Sequence, residues 1–346
     1  MDNKVLYLFN SSLRSAYRES LAKIISFPNN YSTEFRYTID QNVPSELMKI
    51  DLTGMNCLIV FVDRFHAGSY KYYPIRKAKV ISTFTKDNRF FIKCSFGDYC
   101  IVENYDDFTN DLKQTVDGVP ELVRDDPNNI NDGYYVQVGK GINNIICGNN
   151  YWWKIADEIS KTSQLHKDHM PFVKITISSE SLGLDEVLPK QSDIITIESE
   201  EVYKINIFYY DPEKGSNDKT ILLKLKQPLI CLESEQINIG ALTDNISKSF
   251  ESGSAFTLRN IRSSIEIGVF CKEKNLYTLN LPIQVSSQLL VSYILFWAAI
   301  LVGVIILHEY MEPRSFLSTI TEVLKWIIGF KIYLTFGKKP DIPKLS

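Results

Sequence analysis

The stretch VYKINIFYYDPEKG, residues 202–215, decides the fold class. Tyr203, Ile205, Ile207 and Tyr209 alternate with Lys204, Asn206, Phe208 and Tyr210. This period of two is the pattern of a strand with one buried face. Asp211-Pro212-Glu213-Lys214-Gly215 then supplies the residues that turn a chain. Similar short runs recur on either side, at Phe172–Ser178, Ile194–Glu198, Thr220–Leu225, Ser264–Cys271 and Leu276–Ile283. Short strands with regular turns and no helix-rich interval predict an immunoglobulin-like β-sandwich over residues 171–285. They disfavour a doubly wound enzyme fold.

Upstream, residues 1–146 predict an α+β domain. A strand at Val5–Phe9 precedes a helix that Ser11 or Ser12 caps and that runs to Ser26, with Leu13, Ala16, Tyr17, Leu21, Ile24 and Ile25 at helical spacing. Strands follow at Glu34–Ile39, Cys57–Asp63, Tyr72–Phe84, Arg89–Phe96, Tyr99–Glu103 and Tyr134–Val138, with a hairpin turn at Lys86-Asp87-Asn88 and another at Gly139-Lys140-Gly141. The order suggests a small, mostly antiparallel sheet or a partly closed barrel with one packed helix. Residues 147–170 read as a linker carrying a short helix at Tyr151–Ser163. Overall the chain reads as mainly β.

Downstream, the character changes. Leu289–Leu307, LLVSYILFWAAILVGVIIL, is 19 residues without a charge, long enough to span hydrocarbon. Its 13 Leu, Ile, Val or Phe favour insertion by roughly 4 to 8 kcal/mol. Pro313 breaks the chain before an amphipathic segment, Phe316–Phe336, with Ser318, Thr321, Glu322, Lys325 and Gly329 on one stripe. Two readings stay open: an interfacial helix with Trp326 and Lys331 at headgroup level, or a second crossing that places Glu322 and Lys325 in hydrocarbon, where such residues face a partner or a water path. Ala299 and Gly303 make a small-x-x-x-small pair suited to close helix packing and a homo-oligomer. The membrane region is thus 286–346.

Composition bounds the chemistry. The 346 residues are 23% charged with a net charge of −3, too near neutral for bulk nucleic-acid binding. The six cysteines include no C-x-x-C pair, and the N-terminal MDNKVLYLFN lacks the pattern of a signal peptide. Free thiols and this N-terminus suit domains facing the cytoplasm at a cell inner membrane.

The best cluster for a ligand is RFHAGSYKYYPIRKAK, residues 64–79. Arg64, Lys71, Arg76, Lys77 and Lys79 interleave with Phe65, His66, Tyr70, Tyr72 and Tyr73. Cations contact phosphates while aromatic faces stack on bases, and the same mixture suits lipid headgroups. The plain alternative is a charged strand edge. The acidic stretch 104–133, with DDPNNINDG at 125–133, lacks the offsets of a calcium loop. His166 and His169 offer two ligands where zinc needs three or four. No nucleophile elbow and no P-loop occurs. No cofactor, metal or catalytic residue is expected.

In architecture the chain resembles the membrane subunits of prokaryotic anti-phage systems, which join a cytosolic sensing module to membrane-damaging helices. The resemblance implies a non-enzymatic sensor and effector. Its soluble domains would bind a protein partner or a phosphate-bearing ligand, a nucleotide or nucleic acid among them. Its C-terminal segments (Ala299, Gly303, Glu322, Lys325) would perturb membrane lipids on clustering. The alternatives are a passive anchor for a cytosolic complex and a membrane-bound metal-dependent nuclease.

Overall fold

The computed structural model describes residues 4–298 and 300, apart from 11–14, 40–42, 67–68, 117–134, 163–164, 166–169, 214–218, 232–235, 239–244, 254–259, 273 and 287–295. The chain is mainly β, with several sheets and few helices.

In the first unit, β1 (Lys4–Asn10) leads into α1 (Ser15–Ser26) and then β2 (Ser32–Thr38). The long strands β3 (Asn56–His66), β4 (Ser69–Lys86) and β5 (Arg89–Ile101) form a meander, followed by α2 (Tyr105–Thr115) and β6 (Tyr135–Lys140). The sheet order is β2-β5-β4-β3-β1-β6. Among the described residues it ends in two edge strands, an open sheet rather than a barrel. Pairing is antiparallel throughout except between β1 and β3, which run parallel. The β4–β5 connection is the expected hairpin: Asp87 and Asn88 both hold positive φ (50° and 56°) between paired Lys86 and Arg89. Such two-residue loops match the twist of the strands they join.

Several expectations change. Arg89–Phe96 and Tyr99–Glu103 are one strand, because β5 stays paired to β4 through a register shift. Gly139 and Lys140 continue β6, paired to Val5 and Lys4, and do not turn the chain. β4 lies in the interior of the sheet and not at an edge.

Both faces of this sheet are covered, which is why β3 reads as a nearly continuous apolar run rather than an alternation. On one face α2 packs against β4, with Phe108 and Leu112 buried. Asn104 caps α2 by accepting from the backbone N–H groups of Asp106 and Asp107. On the other face lies α1, whose Leu21, Ala22, Ile24 and Ile25 are all fully buried. A helix apolar on more than one side is a helix packed on more than one side, and α1 also touches strands of the second unit.

The bridge to that unit is β7 (Ile146–Cys147), which pairs with β5, then a short 3-10 turn (Asn149–Tyr151) and α3 (Trp152–Ser160). Trp152, Ile155, Ala156 and Ile159 are buried, so this bridge belongs to the core. The second unit holds two sheets. One has the order β12-β14-β10-β8, from β8 (Phe172–Ser178), β10 (Val202–Tyr210), β12 (Leu229–Cys231) and β14 (Asn245–Ser252). The other has the order β13-β11-β15-β16-β9, from β9 (Ile195–Glu198), β11 (Lys219–Leu225), β13 (Gln236–Asn238), β15 (Ile261–Cys271) and β16 (Lys274–Ser286). The alternation foreseen in β10 holds: Tyr203, Ile205, Ile207 and Tyr209 are buried. Ile265, Ile267 and Val269 of β15 and Leu279, Leu281 and Ile283 of β16 form the matching buried face. The Tyr277 hydroxyl crosses between sheets to donate to the Pro171 carbonyl at 3.1 Å. β14 had little sequence signal, because NISKSFES places polar residues on both faces.

The segments 289–307 and 316–336, with Ala299, Gly303, Glu322 and Lys325, lie outside the described residues, save that 296–298 and 300 are helical. Among the described residues no helix is long and apolar enough to cross a membrane.

Candidate functional site

The structure divides the basic and aromatic stretch 64–79. Lys77 and Lys79 are exposed at the middle of β4, and Lys71 is half-buried near its start. Tyr72, Tyr73 and Arg76 are buried. The side chain of Arg64 lies outside the described residues. Seven residues that read as one surface are therefore not one surface.

Arg76 has a structural task. Its Nε donates to the Gly97 carbonyl at 2.7 Å, its Nη1 to the carbonyls of Ile24 and Phe27 at 2.8 and 2.7 Å, and its Nη2 to Asn29 Oδ1 at 2.7 Å. The guanidinium lies over the rings of Phe96 and Tyr99, at 4.7 and 4.4 Å from their centres. Desolvation lowers its pKa. Tyr99 Oη and Trp152 Nε1 donate to the Ile25 carbonyl at 2.7 and 3.1 Å. The last carbonyls of α1, which a helix leaves without partners of its own, are thus held by three side chains.

The other end of α1 is different. Four residues separate Ser15 from Asn10, the last residue of β1. Residues opposed across paired strands share a face of the sheet. Leu8, Ile59, Arg76 and Tyr99 make one such row across β1, β3, β4 and β5, beneath the C-terminus of α1. Asn10, Phe61 and Tyr73 make the next row of that face, and Asp63 and Lys71 the row beyond. Asn10 is 1% exposed, yet among the described residues neither its Oδ1 nor its Nδ2 has a hydrogen-bond partner. Asp63 is fully buried two residues past Phe61.

The first residue of α2 closes this corner. The Tyr105 ring centre stands 4.8 Å from that of Tyr73, and its buried hydroxyl has no partner among the described residues. Burial raises the pKa of Tyr73 and Tyr105, and the acidic groups around them, Asp63, Asp106, Asp157 and Glu158, raise it further. Both hydroxyls stay protonated at neutral pH and so remain donors. Lys71 forms the rim, 3.2 Å from Asp106 and 6.0 Å from the Tyr73 and Tyr105 ring centres.

Buried polar groups in native proteins are almost always paired, and each exception asks for an explanation such as a bound ligand or water. Among the described residues two such exceptions, Asn10 and Tyr105, flank one row of this face, Asn10 beside Phe61 and Tyr105 against Tyr73. It lies at the carboxyl end of the parallel strand pair and at the N-terminal end of α1, the position where open α/β sheets hold ligands. The arrangement offers an amide with donor and acceptor, two phenolic donors, a buried carboxylate and an ammonium, with a helix N-terminus nearby that favours anions.

Two open clefts lie elsewhere. One, of about 270 Å³, is lined by Lys23, Glu34, Lys93 and Asp193, which are half-buried or exposed and in part paired (Lys93–Asp193, 3.4 Å). The other, of about 330 Å³, is lined by Glu103, Asp107 and Asp111. No group of three or more His, Cys, Asp or Glu side chains able to hold a metal occurs among the described residues.

Of the residues foreseen from sequence, Lys71 and Tyr73 stand at this corner, and Tyr72, Arg76, Lys77 and Lys79 stand elsewhere on β4. Asn10, Asp63 and Tyr105 were missed. The one signal for Asn10 and Asp63 was a polar residue closing an apolar run, NKVLYLFN and NCLIVFVD. Comparison with protein-family models, with curated proteins and with solved structures finds no match.

Proposed function

We propose that this chain is a membrane-anchored, non-enzymatic sensor whose first unit binds a nucleotide-class ligand beside Asn10. The observation that carries the reading is the buried, doubly unpartnered carboxamide of Asn10 at the carboxyl end of the only parallel strand pair among the described residues of its sheet. A carboxamide of that kind matches a nucleobase edge, which presents a donor beside an acceptor. Lys71 and the start of α1 suit its phosphates.

Helix α1 is the natural transmitter. Its C-terminus is held by Arg76, Tyr99 and Trp152, and its flank touches β8 and β16 of the second unit. We infer that this unit is an immunoglobulin-like sandwich. The inference rests on two sheets with the strand neighbours expected of that class, β12-β14-β10-β8 as ABED in reverse and β11-β15-β16 as CFG. β16 ends at Ser286, directly before the apolar run. Ligand-driven movement of α1 would reach the membrane through that strand. The C-terminal segments, packed through Ala299 and Gly303 and carrying Glu322 and Lys325, would then perturb the inner membrane as an oligomer, a design suited to anti-phage defence.

The test is full-length protein reconstituted in dye-loaded vesicles and titrated with ATP, GTP and inorganic phosphate. The proposal expects a nucleotide to raise the thermal unfolding midpoint and to release dye, and Asn10→Leu to lose both effects. If no nucleotide shifts the midpoint, the ligand assignment fails. If one binds without release, the effector role fails and a passive anchor or scaffold stands in its place.

A further inference from the structure

Cys100 and Cys147 are opposed partners in the short β5–β7 ladder, and their Sγ atoms stand 2.9 Å apart. The adjacent pair, Tyr99 and Gly148, carries the backbone hydrogen bond, Gly148 N–H to the Tyr99 carbonyl at 3.0 Å. Hydrogen-bonded and non-hydrogen-bonded pairs alternate along an antiparallel ladder, and the latter bring Cα atoms and side chains closest. Cys100 and Cys147 occupy such a close pair, a separation that a disulfide can bridge without moving the backbone far. Cys147 is half-buried and reachable from solvent, whereas Cys100 is buried behind it. The exposed Lys77 ammonium lies beside Cys147. A low-pKa, accessible thiol next to a second, resolving thiol is the arrangement of a redox-sensitive pair.

We propose that Cys100 and Cys147 form a reversible disulfide in response to peroxide. Cys147, as thiolate, attacks one oxygen of hydrogen peroxide and breaks the O–O bond, giving a sulfenic acid and, after proton uptake, water. The Cys100 sulfur then attacks the Cys147 sulfur, losing its proton, and the sulfenic oxygen leaves as a second water. Two thiols and one peroxide become one disulfide and two waters. The thiols are oxidised and the peroxide is reduced.

The bond would fasten β7 to the sheet, where its described pairing covers only Cys100 and Ile101. β7 leads through the 3-10 turn into α3, whose Asp157 and Glu158 stand close enough to act electrostatically on Tyr105. Oxidation would therefore restrict the segment that positions one wall of the corner beside Asn10. The proposal does not depend on what that corner binds.

The geometry separates this pair from the other close thiols. Cys57 and Cys94 are 3.9 Å apart and both are buried, so peroxide meets neither first.

The test treats reduced full-length protein in detergent with hydrogen peroxide, then blocks free thiols by alkylation and maps peptides by mass. A Cys100–Cys147 linked peptide is expected before any other cysteine changes, lost again on addition of dithiothreitol. The oxidised protein should show a higher thermal midpoint. Cys100→Ser should stop at a Cys147 sulfenic acid that a dimedone probe captures. A Cys57–Cys94 link forming first, a Cys147 that stays reduced, or a Cys147 that bridges two chains would each overturn the proposal. The wild-type peptide map decides the matter even if a variant fails to fold.

Discussion

The guanidinium of Arg76 lies 4.4 Å from the centre of the Tyr99 ring, and both side chains donate to the last turn of α1. A cation stacked on two rings, with four hydrogen bonds to neutral oxygens, closes a helix end inside the core. The arrangement makes the C-terminus of α1 its fixed point.

Arg76→Met removes all four donors and takes that partner from the buried carbonyls of Ile24 and Phe27 and the half-buried carbonyl of Gly97. Unmade buried hydrogen bonds of this kind cost ~1–3 kcal/mol each, so the variant should lose at least about 3 kcal/mol. Equilibrium urea unfolding should show a lower midpoint with an unchanged slope. Arg76→Lys should recover little, because an ammonium cannot reproduce the planar fork.

Lys219 tests the second unit. Its ammonium is 1% exposed and pairs with Asp211, and Glu213 lies 3.5 Å away. Asp211→Ala removes the nearer of the two carboxylates paired with this buried charge and should cost up to ~3–5 kcal/mol. The double variant Asp211→Ala/Lys219→Met removes charge and partner together. Most of the loss should return in the same unfolding measurement.

Asn10→Leu should move stability and binding in opposite directions. The carboxamide is buried with both atoms unpartnered, so an apolar side chain of similar size removes a desolvation cost of ~1–3 kcal/mol. The free protein should melt at a higher temperature than wild type and yet show no shift with nucleotide. A lower midpoint would mean that Asn10 is satisfied in solution.

Cys147 should be the fastest thiol to alkylate. The Cys100 thiol that donates to it and the neighbouring Lys77 ammonium together bring its pKa down to about 7, against the effect of burial. The reactive thiolate therefore accumulates as pH rises through 7, and the iodoacetamide rate at this residue should rise with a midpoint there. Lys77→Met should move that midpoint upward. An unchanged midpoint would remove Lys77 from the site.

Much of this fold is legible in the sequence. The alternation at Val202–Tyr210, the two-residue turn at Asp87-Asn88 and the apolar spacing of Leu21, Ile24 and Ile25 are local patterns, and backbone geometry turns each into a strand, a hairpin or a helix. The strongly apolar run Leu289–Leu307 is equally local, as a matter of composition.

What the sequence does not carry is which strands become neighbours. Lys71, Tyr72, Tyr73, Arg76, Lys77 and Lys79 fall within nine residues and look like one basic surface. The meander that puts β4 inside a sheet sends them to separate places, because successive side chains point to opposite faces and each face meets a different helix. Asn10, Asp63 and Tyr105 are far apart in the chain. They share a corner only because β1 and β3 run parallel with Asn10 opposite Phe61. Cys100 and Cys147 meet for the same kind of reason, a ladder of two residue pairs closed across the intervening chain. Local pattern chose the elements of this protein. Long-range strand register, which no local stretch specifies, chose which polar and reactive groups stand together.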